Sequence, residues 1–113
     1  MKHVTYGEKA HFLGNDAAGT LLEYATALSN ATHSDTVTLM AVDDHGNTVE
    51  ASFLLTPSTV MLVESSSSDM TEPDNTTAIE HMRERIDQLR NPPAIRPEDL
   101  PVTFDGQDQS GLN

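Results

Sequence analysis

Apolar and polar residues alternate over residues 35–64, DTVTLMAVDDHGNTVEASFLLTPSTVMLVE, at the period of two that places successive side chains on opposite faces of a strand. Gly46 in the DDHGN turn suits a backbone with positive φ, which ends one strand and starts the next. Pairing Val42 with Thr48 sets Val37, Leu39 and Ala41 opposite Phe53, Ala51 and Val49, so one face becomes continuously apolar. A third strand after Pro57-Ser58, with the same parity, sets Phe53 beside Leu62 and Leu55 beside Val60. Together these predict a three-stranded antiparallel meander. The other face should be polar if it met water, yet Met40, Val42, Leu54, Met61 and Val63 interrupt its Thr, Ser and Glu residues. Something apolar is expected to cover it.

Residues 3–13, HVTYGEKAHFL, predict a hairpin. Pairing Tyr6 with Ala10 and Val4 with Phe12 collects those four on one side, leaving His3, Thr5, His11 and Leu13 on the other. A tighter turn at Gly7-Glu8 scatters the apolar set, so the looser loop is expected. The spacing becomes helical at GNDAAGTLLEYATALSN, where Leu21, Tyr24, Ala25 and Leu28 form a stripe able to lie on a sheet. Asn15 or Asp16, or a Thr20/Glu23 capping box, starts this helix, which should end near Ser29 or Asn30. Beyond SSSSDMTE, a second helix is signalled by a capping box at Thr77–Glu80 and a stop at Pro92-Pro93. Its apolar residues Ile79, Met82, Ile86 and Leu89 make a narrow stripe fitted to one partner surface. Glu80/Arg83, Arg83/Asp87 and Asp87/Arg90 are expected to lace its exposed side. A helix of that length is marginal alone in water and needs a dock.

The expected class is therefore α+β: a β-hairpin, a helix, a three-stranded antiparallel meander and a linker-borne amphipathic helix. The chain divides into a small domain over 1–64, a Ser-rich flexible linker over 65–75, the amphipathic helix over 76–91, and a disordered Pro-containing tail over 92–113. Ile79, Met82, Ile86 and Leu89 are expected to meet Met40, Leu54, Met61 and Val63, either within one chain or on a partner. Those eight residues make up the candidate interaction surface.

Net charge narrows the functions. The chain carries 18 Asp and Glu against 6 Lys and Arg, a formal charge of −12. Residues 1–64 hold 8 acids and 2 bases and residues 65–113 hold 10 and 4, so each part contributes −6 and the acidity is diffuse. Such a surface repels phosphates and anionic lipid, which argues against direct nucleic-acid or membrane binding. No segment approaches the ~18 apolar residues of a spanning helix and no apolar leader is evident, so a cytoplasmic location is expected.

Chemistry is sparse. With no cysteine, disulfides and thiol nucleophiles are excluded. The five histidines, at 3, 11, 33, 45 and 81, lack metal-ligand spacing. The DDHGN acids do not alternate as a calcium loop requires, and Ser52 stands where such a loop needs its last glutamate. No nucleotide-binding glycine loop or nucleophile elbow occurs, and no cofactor or metal is implied. An enzyme would need a cleft gathering His3, His11 and an acid. The expected function is a small acidic, non-enzymatic protein-interaction module whose partner is another protein or a second copy in a homodimer. The alternative is an inhibitor whose carboxylates imitate nucleic-acid phosphates.

Overall fold

A computed structural model describes residues 1–92. In chain order it contains β1 (Lys2–Tyr6), β2 (Lys9–Leu13), α1 (Asn15–Ala31), β3 (Asp35–Val42), β4 (Thr48–Leu55), β5 (Met61–Ser65) and α2 (Thr76–Arg90). The fold is α+β, with one antiparallel sheet in the order β4-β3-β2-β1-β5. The tail expected over 92–113 lies, from residue 93 on, outside the described residues.

The β3–β4 hairpin has the expected register: Val42 faces Thr48, and Val37, Leu39 and Ala41 face Phe53, Ala51 and Val49. The Asp43 carboxylate accepts the N–H groups of His45 and Asn47, and Gly46 adopts φ +83°, which together close the turn. The first hairpin takes the tight turn instead. Tyr6 pairs with Lys9 and Val4 with His11, one residue away from the expected register. Gly7, at φ +61°, supplies the first position of a two-residue turn without strain. Turn chemistry thus outweighs apolar segregation, and Phe12, sent to the outer face, packs against His3 with ring centroids 5.0 Å apart and planes tilted by 50°.

The expected meander is half present. β5 does not pair with β4; it crosses to β1, with Met61 beside Tyr6 and Val63 beside Val4. That reverses its parity. Met61 and Val63 pack against the core, while Val60 and Leu62 are 83% and 53% exposed. Because β4 and β5 are opposite edges joined only by residues 56–60, the sheet must curl. In a flat sheet β1 and β4 would lie about 14 Å apart, three strand spacings. Yet the Tyr6 and Phe53 rings meet edge to face at 5.8 Å, and the Tyr6 hydroxyl donates to the Leu54 carbonyl. The result is a partly closed barrel.

α1 starts at Asn15 after Gly14, without a side-chain cap, and ends in a left-handed Thr32 at φ 57°. Gly14 lets Glu72 approach so closely that an added Cβ would sit 2.7 Å from its carboxylate. Leu21, Tyr24 and Leu28 are buried in one cluster with Leu13, Leu39, Leu55 and Val4. α2 folds back within the chain and packs along α1. The Arg83 guanidinium donates to Asp16 at 2.6 Å and that of Arg90 to Glu23 at 2.9 Å, so equal seven-residue steps on both helices show that they run in the same direction. These arginines therefore serve the α1 contact rather than the expected lacing along α2.

Candidate functional site

α2 does not cover the outer face of the sheet. β2 ends at Leu13 while β3 continues to Asp35, so the inner side and edge of β3 beyond Met40 have lost their strand neighbour. Met82, fully buried, and Ile86 fill that gap and join the cluster of Val37, Leu39 and Phe53. Ile79 and Leu89 flank them, half-buried. Asn75, the residue before α2, completes the edge. Its side-chain oxygen accepts the Met40 N–H at 2.8 Å and its NH₂ donates to the Met40 carbonyl at 2.9 Å. An amide thus stands in for a strand partner. With that side chain engaged, the helix start is held by Asp74, which accepts the N–H and hydroxyl of Thr76.

The eight residues expected to form one surface are therefore divided by the fold. Met82 and Ile86 are buried, and Met61 and Val63 turn inward against the same core. Met40 is half-buried on the outer face, and Leu54 alone among the eight is largely exposed, at 54%. Val42 on that outer face has a simpler cover than a helix, being buried opposite Phe12.

A broad concavity lies elsewhere. β2 and β3 are joined through a single pair, Phe12 with Val42, so the two hairpins part toward their tips. The space between them is a groove of about 970 Å³. Tyr6, His11 and Phe12 line it from the first hairpin, and the Asp43–His45 turn borders one end. β4 contributes the unbroken run Val49 to Phe53, so its backbone as well as its side chains faces the space. Four carboxylates, Glu8, Asp43, Asp44 and Glu50, line the groove against one lysine, Lys9. No periodicity reveals this groove, because it arises from where pairing between two hairpins stops.

The phase of the β3–β4 ladder says which backbone groups are free. Asp43 N–H donates to the Asn47 carbonyl at 2.9 Å, so the hydrogen-bonded pairs continue at Ala41–Val49, Leu39–Ala51 and Val37–Phe53. Thr48, Glu50, Ser52 and Leu54 accordingly aim their N–H and C=O groups away from β3. The Leu54 carbonyl confirms this phase, since it accepts from Tyr6 and from the Thr59 hydroxyl. Among the described residues no strand pairs with this outer edge of β4.

His3 and His11 both line the groove, but adjacent pairs in the register, His3–Phe12 and Val4–His11, put their side chains on opposite faces. His3 is instead 3.5 Å from Glu64. Ligand atoms of Asp43, Asp44 and His45 lie within 4.8 Å of one another. The Asp43 carboxylate is already committed to backbone N–H groups of Asn47 and His45, which hold it below the ordinary 3.8, so the turn itself accounts for the grouping. No described helix is long and apolar enough to cross a membrane.

No family model matches the chain, and neither the curated proteins nor the solved structures contain a match.

Proposed function

We propose that this protein is a small, acidic, non-enzymatic interaction module that receives a segment of another protein in the groove between its two hairpins. The observation that carries this reading is the groove itself: about 970 Å³, with Tyr6, Phe12 and Phe53 among its lining and the free edge of β4 along its border. The ionisable groups that do come together, Asp43, Asp44 and His45, sit in an exposed turn whose Asp43 carboxylate is taken up by backbone N–H groups, not in a pocket that would poise them for acid–base or nucleophilic catalysis. Aromatic and apolar groups with a charged rim are what a binding surface uses. Asp16 and Glu23 are paired on the surface with Arg83 and Arg90, so part of the acidity is neutralised within the chain, which favours this reading over the nucleic-acid mimic.

A library of random peptides displayed on phage and selected on the full chain tests the proposal. Enriched peptides, synthesised and titrated into ¹⁵N-labelled protein, should shift amide signals of residues 9–12 and 49–53. Absence of any enriched sequence, or shifts confined to α1 and α2, would overturn it.

A further inference from the structure

We infer that the groove takes its ligand as an added β-strand, and that the ligand is an extended segment alternating basic and apolar residues; this rests on the reading of the protein as an interaction module. Three observations lead there. First, the chain satisfies several of its edge groups from within, and although β5 is also an outer strand, none of its residues lines the groove. Asn75 satisfies Met40 where β2 runs out, Asp35 accepts the Thr36 N–H, and Tyr6 and Thr59 cap the Leu54 carbonyl. The outward N–H and C=O groups of Glu50 and Ser52 have no such partner among the described residues, although they border a groove. Unpaired backbone groups on an edge are the template on which an extended peptide adds a strand.

Second, alternation is imposed by the pleat. Side chains on an added strand point by turns to the inner and the outer face. The inner ones would meet Val49, Ala51, Phe53 and Tyr6, which are apolar or aromatic. The outer ones would pass Glu50. Third, the sign of the charge selects the partner. Four lining carboxylates against one lysine, on a chain of net charge −12, favour a basic segment and disfavour a second copy of this chain.

Ser52 makes the idea testable, because its N–H points away from β3. Ser52→Pro removes that donor without touching the β3–β4 ladder, and proline is tolerated where an edge N–H faces outward. The substitution also removes the hydroxyl bond to Thr38, 2.8 Å long, so Ser52→Ala, which loses the same hydroxyl but keeps the N–H, is the control. The probes are a capped decapeptide alternating lysine and valine, its counterpart with glutamate for lysine, and a lysine-block/valine-block peptide of equal composition. Calorimetry on the full chain, with the melting temperature of each variant, reads the result. The alternating basic peptide should bind the parent and Ser52→Ala alike and bind Ser52→Pro at least about tenfold more weakly, a loss of ~1.4 kcal/mol. The acidic and block peptides should bind at least tenfold more weakly than the alternating basic one. Equal binding to the alanine and proline variants would overturn strand addition while leaving the groove as an interaction site. Equal binding of the block peptide would overturn the alternation. Dimerisation of the unliganded chain that Ser52→Pro abolishes would make a second copy the occupant and overturn the basic partner. If none of the three peptides binds while phage-selected peptides still map to the groove, the inference fails alone; if neither binds, both readings fail.

Discussion

Asn75→Ala tests whether one amide closes the edge of the sheet. Asn75 is 8% exposed and makes two hydrogen bonds, at 2.8 and 2.9 Å, to the N–H and C=O of Met40. A net contribution of about 0.5–1.5 kcal/mol per bond gives about 1–3 kcal/mol. Leaving two backbone groups of a half-buried strand residue without partners adds to that, so the expected loss is about 2–4 kcal/mol. For a small domain, at about 4–8 °C per kcal/mol, this lowers the melting temperature by about 8–30 °C. Urea denaturation gives the free energy, and hydrogen exchange at the Met40 amide gives the mechanism, because its protection should fall with the global loss or below it. Asn75→Asp sharpens the test. It keeps an acceptor for the Met40 N–H but sets a carboxylate oxygen against the Met40 carbonyl, so at neutral pH it should be at least as damaging as alanine. Acid restores an O–H donor at that position, so its deficit relative to the parent should shrink as the pH falls. A loss below about 0.5 kcal/mol for Asn75→Ala, with Met40 protection unchanged, would refute the idea that this side chain replaces a strand.

Met82→Ala removes a fully buried side chain between α1 and β3 and should cost about 2–5 kcal/mol by urea denaturation. A chain ending at Ser66 should lose cooperative unfolding or associate, as judged by calorimetry and sedimentation. Asp43, held below 3.8 chiefly by the Asn47 N–H and further by that of His45, contributes to the turn fully above that pH. Its contribution is lost as the pH falls through the lower folded value, so the two amide signals should move together in acid and stay still in Asp43→Asn. Tyr24 is raised above 10, first by burial and then by its hydrogen bond to Asp35, with Arg85 opposing. The fold therefore favours the neutral phenol. That stability is intact below pH 10 and fades as the pH climbs through the folded value, and Tyr24→Phe should remove this alkaline loss in pH-dependent melts.

The β3–β4 hairpin was legible to the residue, because a period of two with a Gly-containing turn leaves one register that gathers Val37, Leu39, Phe53 and Leu55. Existence and type of both helices followed from spacing in the same way. β5 departs from the expected place because VMLV is apolar at every position, so its parity is free and only its partner decides which residues turn inward. The first hairpin misled for the opposite reason: a clear apolar pattern pointed to one register, and the conformation open to Gly7 selected another. Met40 and Leu54, apolar residues among polar ones, point to a dock for α2 on the outer face. The true vacancy came from the unequal lengths of β2 and β3, which are visible only once their pairing is known. Asn75 left no signal, since one asparagine before a helix reads as a cap.

The diffuse acidity and the open β4 edge have a common physical consequence. An exposed edge invites pairing with any strand, including the same edge on another copy. Two copies approaching edge to edge bring like-charged surfaces together, each with net charge −12, and Glu50 of one would approach the acids of the other. A basic strand meets the same field with the opposite sign. Salt separates these effects, because the screening length falls from about 8 Å at 0.15 M to about 3 Å at 1 M. Raising salt should weaken binding of the alternating lysine–valine peptide in calorimetry and, in sedimentation of the unliganded chain, increase association. The two quantities must move in opposite directions if charge both protects the edge and selects its ligand. Peptide affinity unchanged by salt, or a chain that associates at low salt and dissociates at high salt, would remove charge from the explanation and leave the edge guarded by shape alone.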